Sequence, residues 1–564
     1  MGQISKRLRV ILVIVGLAAC SACSTKTPDH FDTLIQDGTL YDGSGNTPYV
    51  GDLGITGDRI VALGNLDNAT ADKVINAKGK AVSPGFINMI GWGVTSLITD
   101  GRGLSDITQG ITLEVFGEGN SMGPLSPAMK TEFPKYWAGI NPGWTTLGEY
   151  LEFLETKGVA PNIASFIGAT TPRIHVLGQD DVDPTPQQLK LMQELVREAM
   201  REGAVGVASS LIYTPASFAE TDELVALAKA AAEYGGIYAS HLRNEGKQIF
   251  DALDELITIS REAAIPAEIY HLKIAHPPSW DRFDDVLARI EAARSEGLKI
   301  TADMYPYPAG STGLDAVMPA WVKAGGIDAW IARMQDPKTR QTLAKQMRED
   351  SDEWDNRLAS GGAETVMLVE FRNPELKHLA GKTLAEVAIM RNQSPEETAM
   401  DLVIADRTRV GAMYFNQSED VVRKAIQQPW VSFCPDAVTI AAEGDALLNH
   451  RHPRTYGTFP RVLGHYVREL KLLSLEQAIH RASGLPATNL SLRDRGFLRE
   501  GHFADILVFD PDTIVDQATF QQPHQYAVGM EQVFINGTAV IRDSEPTGAT
   551  PGRVVRGPGW TGWQ

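Results

Sequence analysis

The chain has 564 residues, 43% of them apolar, and 52 Lys+Arg against 70 Asp+Glu give a formal net charge of −18. That apolar fraction suits a large enzyme with a sizeable core and excludes a disordered chain. The acidic balance excludes nucleic acid as an expected partner, because phosphate binding draws on clustered Lys and Arg.

In chain order, residues 1–23 read as a processing segment: Lys6, Arg7 and Arg9 precede an apolar run from Val10 to Ala19 that is too short to span a bilayer as a mature helix. Leu17-Ala18-Ala19-Cys20 resembles the lipobox of bacterial lipoproteins, with Cys20 as the lipidated residue. Cys23 fits less well, since Cys20 would then stand where the motif prefers Leu. An exported protein is implied, lipid-anchored in the bacterial envelope facing the periplasm and touching the membrane only through that anchor. Beyond Cys20 and Cys23 only Cys434 remains, so no disulfide framework is expected.

Residues 31–84 hold short alternating runs broken by Gly, Asn and Asp, and residues 495–545 repeat that style, with an Asn536-Gly537 turn. The two segments are expected to pair into one small β-sandwich. Between them, in residues 85–494, apolar runs alternate with helix-period segments: FINMI, ITLEVFG, NIASFIGAT, AVGVASSL, GIYASH, AEIYH, KITADMY and WVSFC. Eight such units predict an α/β fold of the (β/α)8 TIM-barrel type. Helices are expected at Pro186–Glu202 and Glu220–Glu233 from their apolar spacing. The gap between Tyr307 and Trp430 exceeds a normal βα loop, which predicts an inserted subdomain or lid over about residues 308–429. Residues 546–564 are rich in Gly, Pro and Arg and read as an extended tail.

His241 and His271 end successive predicted strands, and Asp436 follows a later apolar run. Side chains at the C-terminal ends of barrel strands converge on one mouth, so the three could form a metal site with its own proton shuttle. His276 and His452 are expected to be structural or rim residues.

The stretch HPRTYGTFPRVLGHYVRE, with RASGLPATNLSLRDRGFLREGHFADILVFDP, ASSLIYTPASF, SHLRNEG, YHLK and TADMYPYPAGSTG, resembles the N-acyl-D-amino-acid deacylases (D-aminoacylases) of the amidohydrolase superfamily. The resemblance spans nearly all of the chain beyond the N-terminal segment and is least distinctive between Ser311 and Arg409. It implies a zinc-dependent hydrolase that cleaves the amide of small N-acyl amino acids to a carboxylate and a free amino acid. Carried over by motif position, it implies zinc on His241 and His271 and makes Asp436 the general base, then acid, for metal-activated water. It further implies that Arg454 grips the substrate carboxylate and that Lys273 and Tyr305 bind or position it.

Two departures qualify that carry-over. After Pro84-Gly85-Phe86-Ile87, the positions of the superfamily's first-strand His-x-His read Ile90 and Trp92, and neither side chain ligates zinc. The family's zinc-binding cysteine aligns with Gly119. A carboxylate can replace thiolate on zinc, which offers Glu118 at the strand end or Glu114 within the strand; Glu118 is preferred because barrel sites use strand ends. One zinc ion is therefore expected, on His241, His271 and Glu118. Two other readings stay open: a cyclic-amide hydrolase of the dihydroorotase or hydantoinase kind, and a non-catalytic binding protein on a degenerate barrel.

Overall fold

The structure, a computed structural model, describes residues 30–137, 139–352 and 354–563. The N-terminal segment with Cys20, Cys23 and the expected lipid anchor lies outside the described residues. No described helix is long and apolar enough to cross a membrane.

Eight parallel strands occupy the eight apolar runs: β1 (Phe86–Asn88), β2 (Ile111–Phe116), β3 (Asn162–Ser165, continued by Ile167–Gly168), β4 (Gly206–Ser210), β5 (Ile237–His241), β6 (Ala267–Ile269), β7 (Ile300–Met304) and β8 (Val431–Phe433). Each pairs in parallel with the next in this order. A parallel bridge between Gly91 and Ala437 links the extension of β1 to that of β8, so the pairings return to their start. All residues of β5 are buried, as expected of strands covered on both faces. One face contributes Ile87, Leu113, Val115, Phe166, Ala208 and Tyr270 to an inner apolar cluster. The other packs on helices such as Pro186–Arg201 and Thr221–Ala232, each within a residue of its expected ends. The first begins with Pro186 after a capping box of Thr185 and Gln188, which satisfies amide groups left without helical partners.

The terminal segments meet in one continuous nine-stranded sheet rather than in separately bonded halves. Ala81–Pro84 joins them, pairing antiparallel with Ile506–Phe509 and parallel with His30–Leu40. The C-terminal tail runs on beneath the barrel, where Val555 N–H donates to the Ile163 carbonyl and Gly557 N–H to that of Gly203.

Between β7 and β8, Gly310–Gly313, Gly411–Tyr414 and Val366–Glu370 form a three-stranded antiparallel sheet. With the intervening helices it encloses its own core around Leu314, Met334, Leu343, Leu368 and Val403. The helix Glu419–Ile426 that follows belongs to the barrel layer, since Val421, Val422 and Ile426 join the main core. The inserted sheet and its helices precede this helix in the chain.

Candidate metal and substrate site

Strand ends set the site. His241 is the last residue of β5, and Glu118 lies two residues past β2. His271 lies two residues past β6 and Asp436 three past β8, both in the left-handed region with φ of 37° and 47°. The turn at His271 is fixed by its N–H, which donates to Asp303 Oδ1 at 2.5 Å. Burial pushes the Asp303 carboxyl up to about 7 against that backbone hydrogen bond. Glu118, His241, His271 and Asp436 are all buried.

Glu118, His241 and His271 bring three ligand atoms within 4.8 Å of one another, and all three side chains are buried. Glu118 Oε1 lies 2.9 Å from His241 Nδ1 and 3.5 Å from His271 Nε2. A tetrahedral zinc with bonds of about 2.0–2.2 Å spaces its ligand atoms about 3.3–3.6 Å apart, so these separations suit one ion with small adjustment. The charges agree. Among the described residues no Lys or Arg forms an ion pair with Glu118, and its Oε1 faces the two imidazoles. Burial would raise its carboxyl, but hydrogen bonds with His241 and His271 hold it well below the usual carboxylate range. A buried carboxylate facing two neutral nitrogen ligands is a cation's donor set.

Glu114 is elsewhere. Leu113 and Val115 point into the inner cluster, while Glu114 accepts from Thr439 Oγ1 at 2.6 Å and faces Asp106 outside it. Burial pushes Asp106 up to about 6 and Glu114 well above its ordinary value. The folded pair thus keeps protons that the unfolded chain releases, so its effect on stability worsens as pH rises from the ordinary carboxylate range through about 6. Glu114→Gln is expected to keep metal and turnover. Its melting temperature should match the parent near pH 4 and exceed it by about 1–3 °C at pH 8, read by thermal melts across pH.

Gly119 explains why no cysteine ligand stands on this loop. At φ of +71°, a Cβ there would fall 1.8 Å from Ser210 Oγ. Trp92, at one of the two first-strand positions without a histidine, donates its indole N–H to Glu118 Oε2 at 3.1 Å. Ile90 is buried in the inner cluster.

Asp436 meets Arg454, whose NH1 lies 2.9 Å from Asp436 Oδ2 as an ion pair lacking hydrogen-bond alignment. Arg454 NH2 donates to the Ser311 carbonyl at 3.3 Å, and the guanidinium lies 4.4 Å over the Tyr305 ring. Arg454 Nε and NH1 are buried with no hydrogen-bond acceptor among the described residues. Burial pushes the Asp436 carboxyl up from its ordinary value, opposed by Arg454. Tyr305 accepts from Gln417 Nε2 at 2.8 Å. His452 is buried and structural: Nδ1 accepts from Arg454 N–H at 3.0 Å and Nε2 reaches the Ala309 carbonyl at 3.0 Å. His276 contacts Ser279 at 2.8 Å.

Lys273 is engaged within the chain. Its ammonium donates to Glu245 Oε1 and, at 3.1 Å, to the His271 carbonyl, and lies 2.7 Å from His271 Nδ1. Glu245, in the SHLRNEG motif, and Arg357, in the insertion, were not singled out as site residues from sequence, yet both are buried here. The signal for Glu245 was a carboxylate four residues after a strand-end histidine. For Arg357 there was none.

A profile of the amidohydrolase family matches residues 73–541, and the chain belongs to that family. A D-aminoacylase of Alcaligenes xylosoxydans xylosoxydans is 34% identical over 527 residues, 93% of this chain and 97% of that protein. Within the family the chain is therefore D-aminoacylase-like. A solved D-aminoacylase, described as having a binuclear metal centre with one-metal activation and second-metal attenuation, is 31% identical, with a TM-score of 0.78 over 93% of this chain and 100% of that one. The N-acyl-D-glutamate deacylase of Bordetella bronchiseptica, solved with zinc and a phosphonate mimic of the tetrahedral intermediate, is 29% identical, with a TM-score of 0.77 over 93% and 100%.

Proposed function

We propose that the chain is a mononuclear zinc amidohydrolase on a (β/α)8 barrel, cleaving N-acyl amino acids, of D configuration as in its relatives, to a carboxylate and a free amino acid. The observation that carries this reading is the meeting, in one buried cluster, of the Glu118–His241–His271 donor set with Asp436 and the unsatisfied guanidinium of Arg454. Zinc, when bound there, polarises the amide carbonyl and acidifies a water. Asp436 takes the proton from the attacking water and returns it to the departing nitrogen as the C–N bond breaks. Arg454 receives the substrate's α-carboxylate through donors that the chain itself leaves without acceptors, which fixes the amide relative to Asp436. Tyr305 supports that guanidinium from below, and Lys273 acts through Glu245. The cyclic-amide alternative is disfavoured because such enzymes commonly use the first-strand pair replaced here by Ile90 and Trp92. The N-terminal motif around Cys20 supports a lipid-anchored periplasmic location as part of the same proposal.

The test is selectivity. Wild-type protein should hydrolyse an N-acyl-D-amino acid far faster than the matching α-carboxamide. Arg454→Lys should narrow that ratio by about ten- to a hundredfold, since hydrogen bonds to charged groups are worth about 1.5–3 kcal/mol. An unchanged ratio, or turnover confined to cyclic ureides, would exclude this reading.

A further inference from the structure

We infer that Glu245 is a positioning residue that orients both imidazoles of the metal site, and that the insertion between β7 and β8 holds it in place. The inference rests on the metal-site reading above and adds a residue to it. With a cation on His241 Nδ1 and His271 Nε2, the remaining ring nitrogens must carry the protons and need acceptors. Glu245 offers one oxygen to each: Oε1 is 3.0 Å from His271 Nδ1, and Oε2 is 3.5 Å from His241 Nε2. His241 Nε2 is buried and has no hydrogen-bond partner among the described residues, so a short approach of Oε2 completes it. One carboxylate thereby serves two imidazoles whose ring centroids are 4.3 Å apart.

A rival arrangement is visible. The 2.7 Å contact between Lys273 Nζ and His271 Nδ1 suits a neutral ring that accepts from lysine and keeps its proton on Nε2. A cation at Nε2 removes that tautomer, and Lys273 is then left to donate to Glu245 Oε1.

Glu245 is itself held from several sides. Its N–H donates to Asp355 Oδ2 at 2.8 Å and its carbonyl accepts from Ala275 N–H at 2.7 Å, tying the loop after β5 to the segment after His271. Arg357 NH2 donates to Oε2 at 3.3 Å. A Cβ on Gly246 would lie 2.6 Å from Asp355 Oδ1, so the close approach of the insertion needs glycine there. Asp355 and Arg357 come from the insertion, which thereby reaches the metal site through a carboxylate outside the Glu118–His241–His271 set.

The experiment measures metal binding, not turnover. Zinc affinity of full-length protein is read by competition with a chromophoric chelator, and the Co²⁺-substituted protein by its visible absorption. Glu245→Gln is expected to bind zinc about 10–100-fold more weakly and to shift the Co²⁺ bands, with Glu245→Asp recovering part of both. Arg357→Gln, more distant from the rings, should weaken zinc binding in the same direction by a smaller factor, and it decides the matter if Glu245→Gln does not fold. Parental affinity and an unshifted cobalt spectrum in folded Glu245→Gln, or in Arg357→Gln where only that variant folds, overturn the inference. A wild-type protein that retains no metal overturns the metal-site reading instead.

Discussion

Asp436→Asn is expected to lower kcat/KM by about 10²–10⁴, the usual contribution of a positioned proton-transfer group, while the metal content stays at the parental level. The substitution is nearly isosteric, and the amide oxygen can still face Arg454 NH1, which lies 2.9 Å from the carboxylate. What is lost is the capacity to accept a proton. Asp436 lies outside the Glu118–His241–His271 set, so metal content separates a missing base from a missing ion. Loss of metal together with activity would make Asp436 a ligand. Full activity with metal retained would remove it from the reaction.

The strands were legible because parallel strands covered on both faces read as continuous apolar runs, and GIYASH and AEIYH end in the histidines that the structure brings together. The choice between Glu118 and Glu114 was also written in the alternation of ITLEVF. Leu113 and Val115 share the inner face, which turns Glu114 toward the helices. What the sequence hid were partners set by distant segments. Glu245 reads as one more polar loop residue until Arg357, 112 positions later, arrives beside it. Lys273 looked ready for a substrate carboxylate, and its engagement with Glu245 appears only when the loops after β5 and β6 are placed together. The place of the helix before β8 is hidden for a related reason. Glu419–Ile426 carries the same kind of apolar spacing whether it covers a lid or a barrel, and only its neighbours tell them apart.

Stripping the metal with a chelator is expected to reduce turnover by at least about a thousandfold, the counterpart of the several kcal/mol that Lewis-acid stabilisation supplies, and one equivalent of zinc should restore it. A second equivalent should neither bind tightly nor inhibit. Ile90 and Trp92 supply no ligand atom at the first strand, and the indole N–H of Trp92, a donor only, occupies Glu118 Oε2 at 3.1 Å. A second cation bridged through that oxygen would have to displace a hydrogen bond in a half-buried setting and would find no imidazole at positions 90 and 92. The solved D-aminoacylase has a binuclear metal centre, with one-metal activation and second-metal attenuation. Ile90→His with Trp92→His should free Glu118 Oε2 and add two imidazoles. Elemental analysis should then show a second bound ion, and excess zinc should begin to slow turnover. Two tightly held ions in the wild-type protein would mean that residues other than the first-strand pair build the second position, and the role given to Trp92 would fall.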